Sequence, residues 1–218
     1  MTERTEHPAR SFYDRISRAY DAIADSGEHA SREEGLALLS VKDGERVLEI
    51  GYGTGHSLVQ LAQAVGRAGH VSGVDISQGM HDVAWRRVQE SGVDDRVALC
   101  VAEIPPVPYD DGSFDAVTMS FTLELFPQDV IPTVLTEVRR VLRSTGRLGI
   151  VSMSTTPDGE RDRFAERTYK WMHRHFPHIV DCQPIDAVRF VQEAGFRVTR
   201  RVDMTIWTMP VVALVGVY

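Results

Sequence analysis

The chain has 218 residues and a mass of 24.4 kDa, a size that fits one large α/β unit with a substantial core. Its formal charge of −7, from 24 Lys and Arg against 31 Asp and Glu, speaks against nucleic acid as an obligate partner, because such domains carry a basic footprint. Cys100 and Cys182 form neither a disulfide framework nor a zinc pattern, no apolar run reaches the roughly 18 residues of a membrane span, and Thr2 to His7 is too polar for a signal peptide. A cytoplasmic, non-secreted protein is expected.

In chain order, Phe12, Ile16, Ala19, Tyr20 and Ile23 recur at helical spacing. Residues 1–40 are read as a helical cap over a ligand mouth, with Tyr20 as the ligand contact; Phe12 and Ile16 suit plain packing equally well. A strand over 46–50 runs into Val47-Leu-Glu-Ile-Gly-Tyr-Gly-Thr-Gly55. Without Cβ atoms at Gly51, Gly53 and Gly55, the chain can turn sharply out of a buried strand and bring its backbone against a ligand. A dinucleotide fingerprint would need a third glycine where His56 stands, and no Gly-Lys-Ser/Thr of a phosphate loop occurs. The next helix carries Leu58, Leu61, Ala62 and Val65 and stops at Gly66 and Gly69.

A second strand, 70–75, ends in Asp75, a carboxylate suited to a ribose diol. Ser77 is placed to cap a helix bearing Met80, Val83, Ala84 and Val88. The third strand, 97–102, contains Cys100 as a core residue and leads to Ala102-Glu103-Ile104, where a polar group between apolar ones suits an adenine. A proline-rich loop and a turn precede a fourth strand at 114–120. A helix over 129–143 tolerates Pro132 near its first turn and stops at Gly146, before a strand at 147–153.

Residues 154–183 are read as a lid insertion, because Ala165, Tyr169, Met172 and Phe176 form an apolar stripe widened by Phe164 and Trp171. His173, His175 and His178 follow. Two residues apart on a helix means side chains about 200° apart, so His173 and His175 cannot share a metal; a histidine general base fits better, and no metal site is expected. Phe196 to Asp203 and Met209 to Val217 read as an antiparallel hairpin. The alternation predicts a Rossmann-like α/β fold of seven strands, mostly parallel, with an antiparallel C-terminal strand and helices on both faces, in one domain over 1–218.

The ordered set Val47 to Gly55, Val74-Asp75-Ile76-Ser77 with Met80, Ala102-Glu103, Phe114-Asp115-Ala116-Val117 and Glu137 to Leu142 before Gly146 resembles the class I S-adenosylmethionine-dependent methyltransferases. Within them it looks most like the small-molecule enzymes of ubiquinone and menaquinone biosynthesis; Phe12 to Ile16 and Tyr20-Asp21 share that likeness. The chain departs from the pattern at Glu49 and Glu103, where aspartate is commoner, and at Tyr52, which replaces a small residue.

The resemblance implies S-adenosylmethionine as cofactor. Gly51 and Gly53, with Gly55, would approach its methionine portion, Glu49 its amino group, Asp75 the ribose and Glu103 the adenine amine, with Tyr20, Ile76, Met80, Ala102 and Ile104 completing the site and Ser120 and Thr122 bordering the methyl. Tyr13, Phe121, Trp171 and Met172 would face the acceptor, a small quinol-like or lipid-like molecule; a phospholipid headgroup or natural product methylated on N, O or S is the alternative. Ser120-Phe-Thr-Leu123 lacks the tetrapeptide with which DNA N-methylating relatives grip a flipped base. An apolar lid allows peripheral membrane contact, and the chain is expected as a monomer or homodimer. A cofactor-binding protein without turnover and an NAD-type oxidoreductase are the rival classes, the latter disfavoured by His56.

Overall fold

The computed structural model describes residues 28–155, 184–206 and 209–218. Strands β1 (Arg46–Ile50), β2 (His70–Asp75), β3 (Val97–Val101), β4 (Phe114–Ser120), β5 (Leu142–Met153), β6 (Arg197–Ile206) and β7 (Met209–Val217) form one sheet in the order β3-β2-β1-β4-β5-β7-β6. The first five pair in parallel, and β7 runs antiparallel to both of its neighbours. In the expected hairpin it is the later strand that sits inside. The run Pro210 to Gly216 is apolar on both faces, whereas Arg197, Arg200, Arg201 and Asp203 are exposed along β6, and charged side chains belong on an edge.

Helices α1 (28–39), α2 (His56–Ala64), α3 (Gln78–Glu90), α4 (Ile131–Val141) and α5 (Ala187–Glu193) cover the two faces. Alternate residues of a strand point to opposite sides, so Val47 joins Leu39, Leu58, Leu61, Ala84 and Val88 in one core, while Leu48 and Ile50 join Val134, Leu135, Val138 and Phe190 in the other. In α4 the buried Ile131, Val134, Leu135, Val138 and Val141 follow the helical period, with Pro132 in the first turn. Ser77 caps α3 by accepting from the Met80 N–H at 3.1 Å, and Asp186 caps α5 through the Arg189 N–H at 3.0 Å.

The strand over 147–153 begins earlier than its sequence pattern suggests. Leu142 already pairs with Phe114, and the register then jumps to Arg147 opposite Ala116, so residues 142–146 form a bulged start to β5 rather than a loop.

Two contacts fix α1 across the sheet. A Cβ on Gly35 would lie 2.2 Å from Val151 Cγ2, so the helix rests directly on β5. At its C-terminal end, Arg147 donates to the Leu39 and Ser40 carbonyls at 2.6 and 2.9 Å and pairs with Glu45 at 2.7 Å. That seat carries Arg32 and Glu28, about one and two turns before Gly35, to the C-terminal edge of the strands. There the order reverses: β1 is followed by β2 on one side and flanked by β4 on the other, which opens a crevice.

Candidate functional site

A cleft of about 340 Å³ occupies this crevice, a volume typical of small-molecule sites. Its floor is the turn after β1. Gly51 adopts φ +73° and Gly53 φ +51°, both left-handed, but the two absent Cβ atoms serve different ends. One on Gly51 would fall 2.4 Å from the Thr122 side chain, so this glycine admits the turn that follows β4. One on Gly53 would meet nothing within 4 Å and would stand in the open cleft. Gly55 does not line the cleft, contrary to its assignment from sequence. It is the N-cap of α2 at φ +83°, where a Cβ would press on Ala84 of α3 at 2.9 Å, so it serves helix packing.

Three acids arrive from three strand ends. Asp75 accepts from the Gly53 N–H at 2.9 Å through one oxygen and from the Ser77 N–H at 2.9 Å through the other, tying the glycine turn to the start of α3. Each carboxylate oxygen keeps lone-pair capacity for a further donor. Glu103 lies past β3 between Ala102 and Ile104, all three in the lining. Glu49 is 2% exposed within the otherwise apolar run Val47 to Ile50 of β1, and its Oε2 has no hydrogen-bond partner among the described residues. Burial pushes its carboxyl up to about 8, against the lowering effect of the Arg32 guanidinium and the Ser57 hydroxyl, with Asp75 raising it further.

The opposite wall is apolar and comes from one stretch of chain. After Ser120 the backbone enters the left-handed region at Phe121, φ +52°, a strained state for a bulky residue, held by the Phe121 N–H to the Val151 carbonyl at 2.8 Å. Thr122 then spends its hydroxyl on the Ser120 carbonyl at 2.9 Å and the Gly51 carbonyl at 3.4 Å, fastening this turn to the floor. Leu125, Phe126, Pro127 and Val130 complete the wall, and Leu125 is 38% exposed.

Of the residues singled out in the sequence, Glu49, Gly51, Gly53, Asp75, Ile76, Met80, Ala102, Glu103, Ile104, Ser120, Phe121 and Thr122 all line this one cleft. Tyr13, Tyr20, Trp171, Met172, His173, His175 and His178 lie outside the described residues. The sequence pattern did not reveal Glu28 and Arg32 of α1, His56 and Ser57 at the start of α2, or Leu125 to Val130. Arg32 carries no local motif: it is one of several charges on a helix, and only the packing of α1 on β5 aims it at the cleft. Tyr52 fits in place of a small residue because Gly73 in β2 leaves room for its ring, a Cβ there lying 2.7 Å from Tyr52 Cδ1.

The family of methyltransferase domains matches residues 47–146. A demethylmenaquinone methyltransferase of Listeria welshimeri is 32% identical over 158 residues, 71% of this chain and 66% of that protein. The chain thus spans just under two thirds of the curated relatives that it matches, 64 to 66% for two of them. Among solved structures, a SAM-dependent methyltransferase from Aquifex aeolicus superposes with a TM-score of 0.67 at 22% identity, covering 94% of this chain and 98% of the other. A geranyl diphosphate C-methyltransferase from Streptomyces coelicolor, solved with S-adenosyl-L-homocysteine, superposes at 0.69 with 18% identity, over 87% of this chain and 75% of the other. Residues 47–146 thus match the methyltransferase domain family, and on its sequence motifs, its strand order and these likenesses the chain is similar to the class I S-adenosylmethionine-dependent methyltransferases and shares their fold.

Proposed function

We propose that the protein transfers a methyl group from S-adenosylmethionine to a small apolar acceptor, with a quinol-like ring as the favoured class. The observation that carries this reading is the division of one cleft into an acid-lined half and an apolar half that meet where Thr122 touches Gly51. The residues fit the donor: an unpartnered buried carboxylate oxygen on Glu49 suits an amino group, and the space over Gly53 lets a ligand approach the backbone.

When bound, S-adenosylmethionine supplies a methyl group already activated on a sulfonium for in-line displacement. The chain's work is then to hold and to align, which by itself can lower a barrier by several kcal/mol. Glu49 and Arg32 would hold the amino-acid end, Asp75 the ribose and Glu103 the adenine amine, with Ile76, Met80, Ala102 and Ile104 lining the same part of the cleft. Phe121, Leu125, Phe126 and Val130 exclude water and seat the acceptor beside Ser120. His173, His175 and His178 are the proposed proton acceptors for nucleophiles that must lose one. The demethylmenaquinone methyltransferase relatives, with the apolar wall, support a quinol-like acceptor.

A radiolabelled-methyl assay across quinol, phenol, thiol and phosphatidylethanolamine acceptors tests the reading. Label is expected in the quinol or phenol arm and, at low donor concentration, lost in Asp75→Ala with the fold retained. Donor binding without label in any arm would replace the proposal with that of a binding protein.

A further inference from the structure

Glu124 is, with Glu49, one of two buried acids among the described residues, and nothing in the proposed chemistry uses it. It follows Thr122 by two residues and precedes Leu125, both of which line the cleft, so it stands directly behind the wall at the methyl end. It is 2% exposed. Its Oε1 accepts from the Met153 N–H at 2.9 Å, a backbone group on β5 beyond the last β4 pairing, Ser120 with Val151. Its Oε2 has no partner among the described residues. A residue needed only to satisfy Met153 would do so as well with a neutral amide, which offers the same acceptor without a second buried charge-bearing oxygen.

The charge of the cleft gives that oxygen a use. Among the described residues, its lining holds the carboxyls of Glu28, Glu49, Asp75 and Glu103 against the guanidinium of Arg32. The donor carries a sulfonium that its product lacks: as the methyl leaves for the acceptor, the carbon–sulfur electron pair stays on sulfur and leaves a neutral thioether. Donor and product share the amino-acid end, the ribose and the adenine. Glu49, Asp75 and Glu103 therefore make the same direct contacts with both, so a preference for the donor has to come from charge that acts on the sulfonium itself.

We propose that Glu124 is a specificity-determining residue, a buried carboxylate behind the Phe121–Thr122 turn whose charge favours the sulfonium donor over the thioether product. The inference rests on the proposed placement of the donor, with its methyl toward Ser120 and Thr122. The groups facing Glu124 are Glu28 from α1, and the Ser152 hydroxyl and Met153 N–H from β5. Burial, with a further contribution from Glu28, pushes its carboxyl up to about 7, so it changes charge in the physiological range. A cation in the cleft favours the ionised form, so donor binding should expel a proton below that pH and strengthen as pH rises through it.

The test is calorimetric titration of S-adenosylmethionine and S-adenosylhomocysteine into wild type, Glu124→Gln and Asp75→Ala at pH 6.0 and 8.5. Asp75→Ala should weaken both ligands, which checks the cleft assignment independently. In wild type, preference for the donor over the product should be about five-fold greater at pH 8.5 than at pH 6.0, the change expected between these pH values when the carboxyl of Glu124 falls by about one unit on donor binding. In Glu124→Gln that gain should vanish while product affinity stays within two-fold. Gln keeps an acceptor for Met153, and circular dichroism checks that the variant is folded. Equal effects on both ligands, or a pH-dependent preference that persists in Glu124→Gln, would overturn the proposal and leave Glu124 as a backbone cap.

Discussion

The two halves of the cleft are built on opposite plans. The groups proposed to hold the donor come from β1, β2 and β3, with Arg32 from α1, so Glu49, Asp75 and Glu103 are far apart in sequence and are brought together by the ladder that aligns Glu49 with Gly73 and Asp75 with Val101. The wall proposed for the acceptor comes from one stretch, 120–130, that leaves the sheet at Phe121 and touches the glycine floor through Thr122. Recognition spread over a rigid ladder is hard to alter piecemeal; recognition held on one turn can change without disturbing the sheet. On the proposed assignment, donor recognition is therefore set by the fold, and acceptor recognition by the turn.

The change that most directly breaks this division is Gly51→Ala, since the new Cβ would collide with Thr122 at a left-handed position. A stability loss of about 2–3 kcal/mol is expected, together with loss of measurable donor binding; a thermal melt and a titration check both. Asp75→Ala should act on the donor half alone, weakening donor affinity by about 100-fold through removal of a charged acceptor that also clamps Gly53 and Ser77. Its acceptor KM at saturating donor should hardly move. Leu125→Asp is the reciprocal case: an exposed wall residue can be changed without unfolding, and acceptor KM should rise roughly ten-fold while donor Kd stays within two-fold.

A subtler sharpening comes from Glu49. Its native carboxyl keeps its proton up to about 8, whereas an unfolded carboxyl gives it up near 4.5, so the native state loses stability as pH rises between those values. An ammonium group beside it favours the ionised form. Affinity for donor and product alike should therefore strengthen several-fold from pH 6 to 8 and level off above, and Glu49→Gln should flatten that rise. The smallest expected effect is Tyr52→Phe. The Tyr52 hydroxyl is buried with no partner among the described residues, so its removal should be neutral or stabilising by up to about 1 kcal/mol, with little effect on either ligand.

Much of this was legible in the sequence because it depends on neighbours along the chain. Strands β1, β2 and β4 show in their apolar runs, Ser77 is a cap by its position before a helical stripe, and the Gly51-Tyr-Gly53 turn after a buried strand marks where a ligand is approached. Strand ends at Glu49, Asp75 and Glu103 follow once a parallel sheet is assumed, because parallel strands bring their C-terminal ends to one edge. What the chain could not disclose alone is who meets whom across that edge. Arg32 faces Glu49 only because Gly35 lets α1 settle on Val151; Gly51 is needed for Thr122, a residue 71 positions later; β7 lies inside β6 because of how each strand's two faces are covered; and Glu124 becomes a buried half-satisfied acid only where β4 and β5 part at Met153. Such meetings depend on strand order, register and helix seating, which arise from the packing of the whole sheet and leave no trace in any short window of residues.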